Sequence, residues 1–133
     1  MATFHLYLGW SLIGIFSIAF FWSLGVWIAR RSRIGIPFWW FLRLGAFLFV
    51  LQMAAGILMW TSGLRPANLL HIMYAALVFL GFFAAETLKP GGSWRRLYLR
   101  AGRPFYEPMV AFLLSLYLLG VAIRAFTTGL GYP

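Results

Sequence analysis

The chain contains no cysteine and only two acidic residues, Glu86 and Glu107, among its 133 residues. The absence of cysteine excludes disulfides, thiol catalysis, iron–sulfur clusters and zinc–cysteine sites, and it leaves the redox compartment undetermined. Two carboxylates that flank a basic segment are poorly suited to acid–base catalysis. Their expected role is to pair with arginines. The sequence also has no HExxH, no GxSxG and no phosphate-cradling loop. We therefore expect no catalytic activity in the isolated chain.

Charged residues of either sign are scarce, at 10% of the chain, whereas 63% of the residues are hydrophobic and 20% are aromatic. Average soluble proteins have roughly 45–50% apolar and about 25% charged residues. The mean hydropathy of +0.88 departs in the same direction. This composition provides too little polar surface to cover a soluble globule, so it predicts an integral membrane protein.

Four apolar stretches are long enough to cross a membrane, because a hydrocarbon core of about 30 Å requires roughly 20 helical residues. They cover residues 7–29, 38–60, 67–85 and 108–126, approximately. None shows the alternating pattern of a barrel strand. The first has no preceding basic region and is too long for a secretory signal, so we expect it to stay in the mature protein. The predicted fold is a single all-α domain over residues 1–133, with four transmembrane helices in an antiparallel bundle.

The basic residues are distributed unevenly, and their distribution predicts an orientation. Nine of the eleven lie near the first and third connections, and two, Arg65 and Arg124, lie at the opposite ends of the spans. The nine are Arg30, Arg31, Arg33, Arg43, Lys89, Arg95, Arg96, Arg100 and Arg103. Under the positive-inside rule the basic connections are cytoplasmic and both termini are outside. The expected location is a bacterial inner (plasma) membrane.

The third connection contains a pattern of its own, because apolar and aromatic residues recur there at helical spacing. It predicts a short interfacial helix between the third and fourth spans. Its candidate residues for binding anionic phospholipids or a partner protein are Trp94, Arg95, Arg96, Tyr98, Arg100 and Arg103. The alternative is that these arginines only set the topology. Nucleic acid is not an expected partner, because the chain lacks a soluble basic face.

Small residues are expected to mark the seams between helices, because association in lipid depends on close packing and a few hydrogen bonds. Each span has one such stripe: Ser11, Gly14, Ile18, Phe21 and Gly25; then Gly45, Phe49, Gln52 and Gly56; then Ala67, His71, Tyr74, Val78, Gly81 and Ala85; then Ala111, Ser115, Leu118 and Ala122. Bulky residues are expected to face outward, among them Phe16, Phe20, Phe47, Leu48, Phe79, Phe83 and Leu113. Lipid or another membrane subunit would cover them equally well.

Polar residues within the spans are few, and most have a structural interpretation. Gln52 is the deepest, and its amide is predicted to form an interhelical hydrogen bond, as are the phenols of Tyr74 and Tyr117. The charged residues Arg43, Glu86, Glu107 and Arg124 lie near predicted helix ends, where their side chains are expected to extend toward water.

Both histidines, His5 and His71, are predicted at the outer side, at the beginnings of the first and third spans. They are candidate axial ligands of a b-type haem, with Met59 as another candidate partner for His71. If those helices begin near Phe4 and Pro66, the histidines differ in depth by about four residues, or roughly 6 Å. The alternative places His5 at the membrane interface and makes His71 a hydrogen-bonded helix-start residue. No other metal site is expected, because two histidines cannot complete a coordination sphere.

Two resemblances bear on function. The size and four-span layout are similar to those of small multidrug exporters, but the acidic residue on which their coupling depends is missing between Tyr7 and Ala29. The helical His71 and the overall size resemble the membrane anchors of b-type cytochromes and respiratory dehydrogenases. These features are too few to assign a family.

The functional hypothesis that follows is a small non-catalytic subunit that packs against larger integral proteins, in a bacterial respiratory or photosynthetic electron-transfer complex. The alternative is a haem b electron carrier or quinone-site component that uses His71. A small transporter is disfavoured, because no buried charge is available to couple an ion gradient.

Overall fold

The computed structural model describes residues 1–131, which form five helices and no strand. The helices are α1 (Ala2–Ile28), α2 (Ile36–Thr61), α3 (Leu70–Leu88), α4 (Ser93–Arg100) and α5 (Glu107–Gly129). All except α4 are long and apolar enough to cross a membrane. The prediction of an all-helical membrane protein with four candidate spans is confirmed.

Two helix starts differ from the predicted ones. Helix α1 begins at Ala2 rather than near Tyr7, because no helix-breaking residue separates the two positions. Helix α3 begins at Leu70 rather than Ala67, because Asn68 forms a turn ahead of it. The Oδ1 atom of Asn68 accepts the Leu70 N–H at 2.9 Å, and its carbonyl oxygen accepts the His71 N–H at 3.0 Å. Both shifts change the heights of the two histidines.

The long helices pack unevenly around α5. Helix α5 contacts both α1 and α3 extensively, and α1 also contacts α2, whereas α2 and α3 touch only sparsely. The small-residue stripe predicted for α5 is its buried face. The α3 stripe is buried at Val78, Gly81 and Ala85. Small side chains therefore allow close approach on both sides of α5, while α2 and α3 remain apart.

The seam predicted for α1 is wrong. Its members Ser11, Gly14, Ile18, Phe21 and Gly25 are all exposed. The buried face consists of Leu8, Gly9, Leu12, Ile15, Phe16, Ala19 and Ser23. Ser11 needs no neighbouring helix, because its hydroxyl donates to the Tyr7 carbonyl at 2.9 Å within α1.

Phe16 was expected to face outward and is instead fully buried. Its ring packs against that of Phe82 on α3, with centroids 5.6 Å apart. Phe49 on α2 packs against the same Phe82 ring at 5.6 Å. A large aromatic side chain thus fills the space between α3 and the α1–α2 pair, whose backbones lie closer to each other than to α3.

Both glutamates pair with basic side chains, as predicted, but in different surroundings. The Glu86 carboxylate accepts two hydrogen bonds from Arg43, at 2.8 and 3.0 Å, and one from Lys89, at the exposed surface. Glu107 does not extend toward water: it is only 3% exposed. Its Oε1 accepts hydrogen bonds from Trp39 Nε1 at 2.9 Å and Arg95 Nη1 at 3.1 Å, and so links α2, α4 and α5.

Gly81 provides the first test of this packing. A Cβ atom at Gly81 would lie 2.5 Å from Leu118 Cδ2 and 2.9 Å from Tyr117 Cε1, whereas a Cβ at Gly120 would meet nothing within 4 Å. Gly81→Leu should lower the free energy of unfolding by about 1–3 kcal/mol through overpacking. The matched Gly120→Leu should not. Unfolding in mixed dodecylmaltoside–SDS micelles measures both, and equal effects would contradict the α3–α5 seam.

Glu107 provides a second test. Glu107→Gln leaves the Arg95 guanidinium without its anionic partner, so we expect it to lower the free energy of unfolding by about 1.5–3 kcal/mol. The control is Glu86→Gln at the exposed pair, where we expect a loss of about 0–1 kcal/mol. The same micelle titration compares the two variants. A loss at Glu86 equal to or larger than that at Glu107 would show that the buried carboxylate does not anchor α4.

Candidate functional site

A cavity of about 670 Å³ lies between α1, α2, α3 and α5, at the end opposite the arginine-rich connections. It exists because α2 and α3 diverge there instead of packing together. On α1 it extends from Ala2 to Phe16, about 20 Å along the helix axis. Its volume falls within the range of about 300–1,000 Å³ that is typical of small-molecule and cofactor sites.

The cavity lining is apolar and unusually rich in small residues. Phe16, Phe49 and Val78 line its deep end, in the middle of their helices. Alanines and glycines line the walls, at Gly9, Gly56, Ala75, Ala122, Ala125 and Gly129. At the glycines a neighbouring ring already lies against the wall: an added Cβ atom would be 3.0 Å from Phe126 at Gly9, 3.3 Å from His5 at Gly56 and 2.9 Å from His71 at Gly129.

His5 and His71 both line this cavity, and their rings meet there in an edge contact. Their ring centroids are 6.1 Å apart, with an interplanar angle of 63°. Among the described residues, the backbones of α1 and α3 do not come close, so the two imidazoles, like the rings of Phe16 and Phe82, meet across the interior. His5 is the fourth residue of α1 and His71 the second of α3, so each lies in the first turn or so of its helix.

His71 is held in one orientation by a backbone hydrogen bond. Its Nδ1 lies 2.6 Å from the Ala125 carbonyl oxygen on α5. A carbonyl only accepts, so Nδ1 carries the proton and the neutral ring keeps its lone pair on Nε2. The close approach requires a glycine nearby, since a Cβ atom at Gly129 would lie 2.9 Å from Nδ1. A histidine that donates one N–H to a carbonyl is the usual arrangement of a metal ligand.

His5 engages the protein through its other nitrogen. Its Nε2 lies 3.3 Å from the Gln52 side-chain nitrogen on α2, which gives Gln52 the interhelical contact predicted for it. Over residues 1–131, His5 Nδ1 and Gln52 Oε1 are buried without a hydrogen-bond partner. Buried polar atoms without partners are rare in native proteins, and turning the Gln52 amide would pair its Oε1 with His5 Nε2.

The distance between the two rings suits a shared metal ion. An imidazole nitrogen binds a metal at about 2 Å and the ring centroid lies about 1 Å beyond it, so two rings on one ion have centroids about 6 Å apart. The observed 6.1 Å equals this spacing, and it also falls within the range of about 4.5–7 Å for two rings in ordinary edge contact. The described part of the chain holds no group of three or more His, Cys, Asp or Glu residues that could bind a metal unaided. An ion between His5 and His71 must therefore bring further ligands of its own.

The other predicted site residues fall into two groups. Met59 lines the same cavity. Tyr74 lies beneath Arg124, whose guanidinium carbon is 5.6 Å from the ring centroid, and Tyr117 donates to the Leu77 carbonyl at 2.9 Å.

The lipid- or partner-binding candidates lie at the opposite end. Of these, Arg95 turns inward to Glu107, while Trp94, Arg96, Tyr98, Arg100 and Arg103 are exposed.

Sequence reasoning missed several residues that shape the site. Gly56 and Gly129 lie against the two imidazoles: a Cβ atom at Gly56 would be 3.3 Å from His5 Cε1. Trp60 and Arg65 line the outer rim. The glycines can be identified from the sequence as small residues near helix ends. Which glycine packs against which histidine depends on the relative heights of the helices, and only the structure gives these.

No family model, curated protein or solved structure matches this chain. The function is therefore inferred from the chemistry of the cavity.

Proposed function

We propose that the chain binds one b-type haem in this cavity, with His5 and His71 as its axial ligands. The observation that carries the proposal is the pair of neighbouring imidazoles, 6.1 Å apart between centroids, inside an apolar cavity. The porphyrin of a haem supplies the equatorial ligands of the iron, so the protein needs to provide only axial ones. Haem is thus a metal-containing group that two histidines can hold without a third protein ligand.

The shape and polarity of the cavity support the same ligand. A macrocycle is flat and largely apolar, which agrees with the volume and the apolar lining of the cavity, while Gly56 and Gly129 allow the two imidazoles to sit against the helix backbones. His71 already has the tautomer that leaves Nε2 available for iron. His5 Nδ1 is buried without a partner, and its Nε2 lies 3.3 Å from Gln52 Nε2, an amide nitrogen that only donates. For Nδ1 to bind iron, the Gln52 amide has to turn so that its Oε1 accepts the Nε2 proton of His5.

Axial ligation by two histidines favours electron transfer over chemistry at the iron. When both axial positions are filled, no site remains open for oxygen or another small substrate, and the iron can still change oxidation state. The proposed function is therefore an electron carrier within the membrane. Exposed aromatic and aliphatic residues such as Phe47, Phe79 and Leu113 leave room for larger electron-transfer subunits, whose docking stays a prediction.

The proposal includes the arrangement of the helices in the membrane. The four long helices form an antiparallel bundle, with the arginine-rich connections in the cytoplasm and the haem cavity near the outer surface. Helix α4 then lies along the cytoplasmic interface, where Arg96, Arg100 and Arg103 can meet anionic phospholipids. Nine of the eleven basic residues support this orientation.

Haem binding is tested by adding haem b to the purified full-length chain and recording reduced-minus-oxidised absorption spectra. The wild type should take up one haem per chain. His71→Ala should lower haem affinity by about tenfold or more, because it removes the ligand that the backbone orients. His5→Ala should give a five-coordinate, high-spin haem. Met59→Leu should leave the spectrum unchanged.

Circular dichroism and gel-filtration elution of each variant separate loss of haem from loss of folding. A wild-type chain that takes up no haem under these conditions overturns the proposal. A folded His71→Ala variant that retains the wild-type spectrum and affinity overturns it equally. A spectral change in Met59→Leu instead of His5→Ala would assign the second axial position to Met59.

The orientation is tested by single-cysteine labelling, for which the cysteine-free chain needs no prior modification. Ser62→Cys lies in the α2–α3 connection and Ser93→Cys at the start of α4, and both serines are exposed. A membrane-impermeant maleimide added to intact cells should label the first variant, and the second only after permeabilisation. The reverse result would place the haem cavity on the cytoplasmic side.

A further inference from the structure

The charged side chains at the cavity end are basic over residues 1–131. They are those of Arg65 and Arg124. Both acidic side chains of the chain, Glu86 and Glu107, lie at the other end, where they pair with Arg43, Lys89 and Arg95. An anionic group that enters the cavity therefore meets neither glutamate side chain.

Arg65 alone contributes a charge to the described lining of the cavity. It lies in the connection between α2 and α3, next to Trp60 at the outer rim, and its guanidinium carbon is 5.3 Å from the Trp60 ring centroid. A cation above an aromatic face is held in place by the ring quadrupole, and its N–H edge stays available for an acceptor. The rim thus presents a positioned guanidinium above an apolar cavity.

A site of this form suits an amphiphile with an apolar body and a carboxylate at one edge. Arginine binds carboxylates through paired, charge-assisted N–H···O hydrogen bonds. A haem has this chemistry, because its two propionates lie on one edge of an otherwise apolar ring. Phe16 and Phe49 at the deep end of the cavity suit the opposite edge.

We infer that Arg65 binds a propionate of the haem and fixes its orientation, with the propionate edge at the outer rim and the apolar edge toward Phe16 and Phe49. The inference rests on the proposed function. It adds a haem-binding residue that is not an iron ligand. It also gives a role to Arg65, a cation that pairs with neither glutamate.

The test compares haem b with its dimethyl ester, in which both propionates are blocked. The full-length chain in detergent is titrated with each compound, as wild type, as Arg65→Gln and as the control Arg124→Gln. Arg124 is a cation of the same end that does not line the cavity. Arg65→Gln should weaken binding of haem b by about tenfold, the scale of a charge-assisted hydrogen bond.

Binding of the dimethyl ester should be the same in the wild type and Arg65→Gln, and Arg124→Gln should bind both compounds like the wild type. Unchanged haem affinity in Arg65→Gln overturns the inference while the proposed function stands. Equal weakening of haem and ester overturns it too, since Arg65 then acts on the cavity and not on a propionate. A wild type that binds neither compound overturns the proposed function itself.

Discussion

Uneven contact between the helices is the constraint on which the remaining structure depends. In lipid, helices gain little from burying apolar side chains against each other, so they associate where small residues permit close approach. Helix α5 meets this condition against both α1 and α3, as the tight fit of Gly81 against Leu118 illustrates. Helices α2 and α3 do not meet it, and the space between them becomes the cavity.

The same constraint explains how two distant segments bring their histidines together. Helix α5 holds α1 and α3 on either side of itself, and its backbone carbonyl at Ala125 orients the His71 ring. Helix α2 contributes Gln52, which contacts His5 from the other side. Each imidazole is thus held through one nitrogen by a helix other than its own. At the opposite end, the buried Glu107 carboxylate joins α2, α4 and α5. One end of the molecule therefore forms the histidine site, and the other end holds the helices together.

Much of the fold follows from sequence, because hydrophobic length alone determines where a helix can cross a membrane. The seams were harder to predict. The stripes of α3 and α5 are buried because their small residues face a neighbouring backbone. On α1 the same pattern failed: Ser11 satisfies its hydroxyl within its own helix and Gly14 faces open space, while Phe16 fills the interior. A small residue permits close packing but does not require it.

The candidate site was only partly predictable for a related reason. His5, His71 and Met59 are identifiable as rare polar or sulfur-containing residues at the outer side and Gln52 as the deepest polar residue, and all four line the cavity. The cavity itself arises from a lack of contact between α2 and α3, for which no sequence pattern exists. The height of each histidine depends on where its helix starts, and the turn at Asn68 changed that for α3.

The central claim is that one iron lies between two imidazoles from α1 and α3. Electron paramagnetic resonance of the ferric, haem-loaded full-length chain reports the axial ligands directly. The account predicts a low-spin signal typical of two histidine ligands. A high-spin signal from the wild-type chain, which requires an open or water-filled axial position, would contradict it.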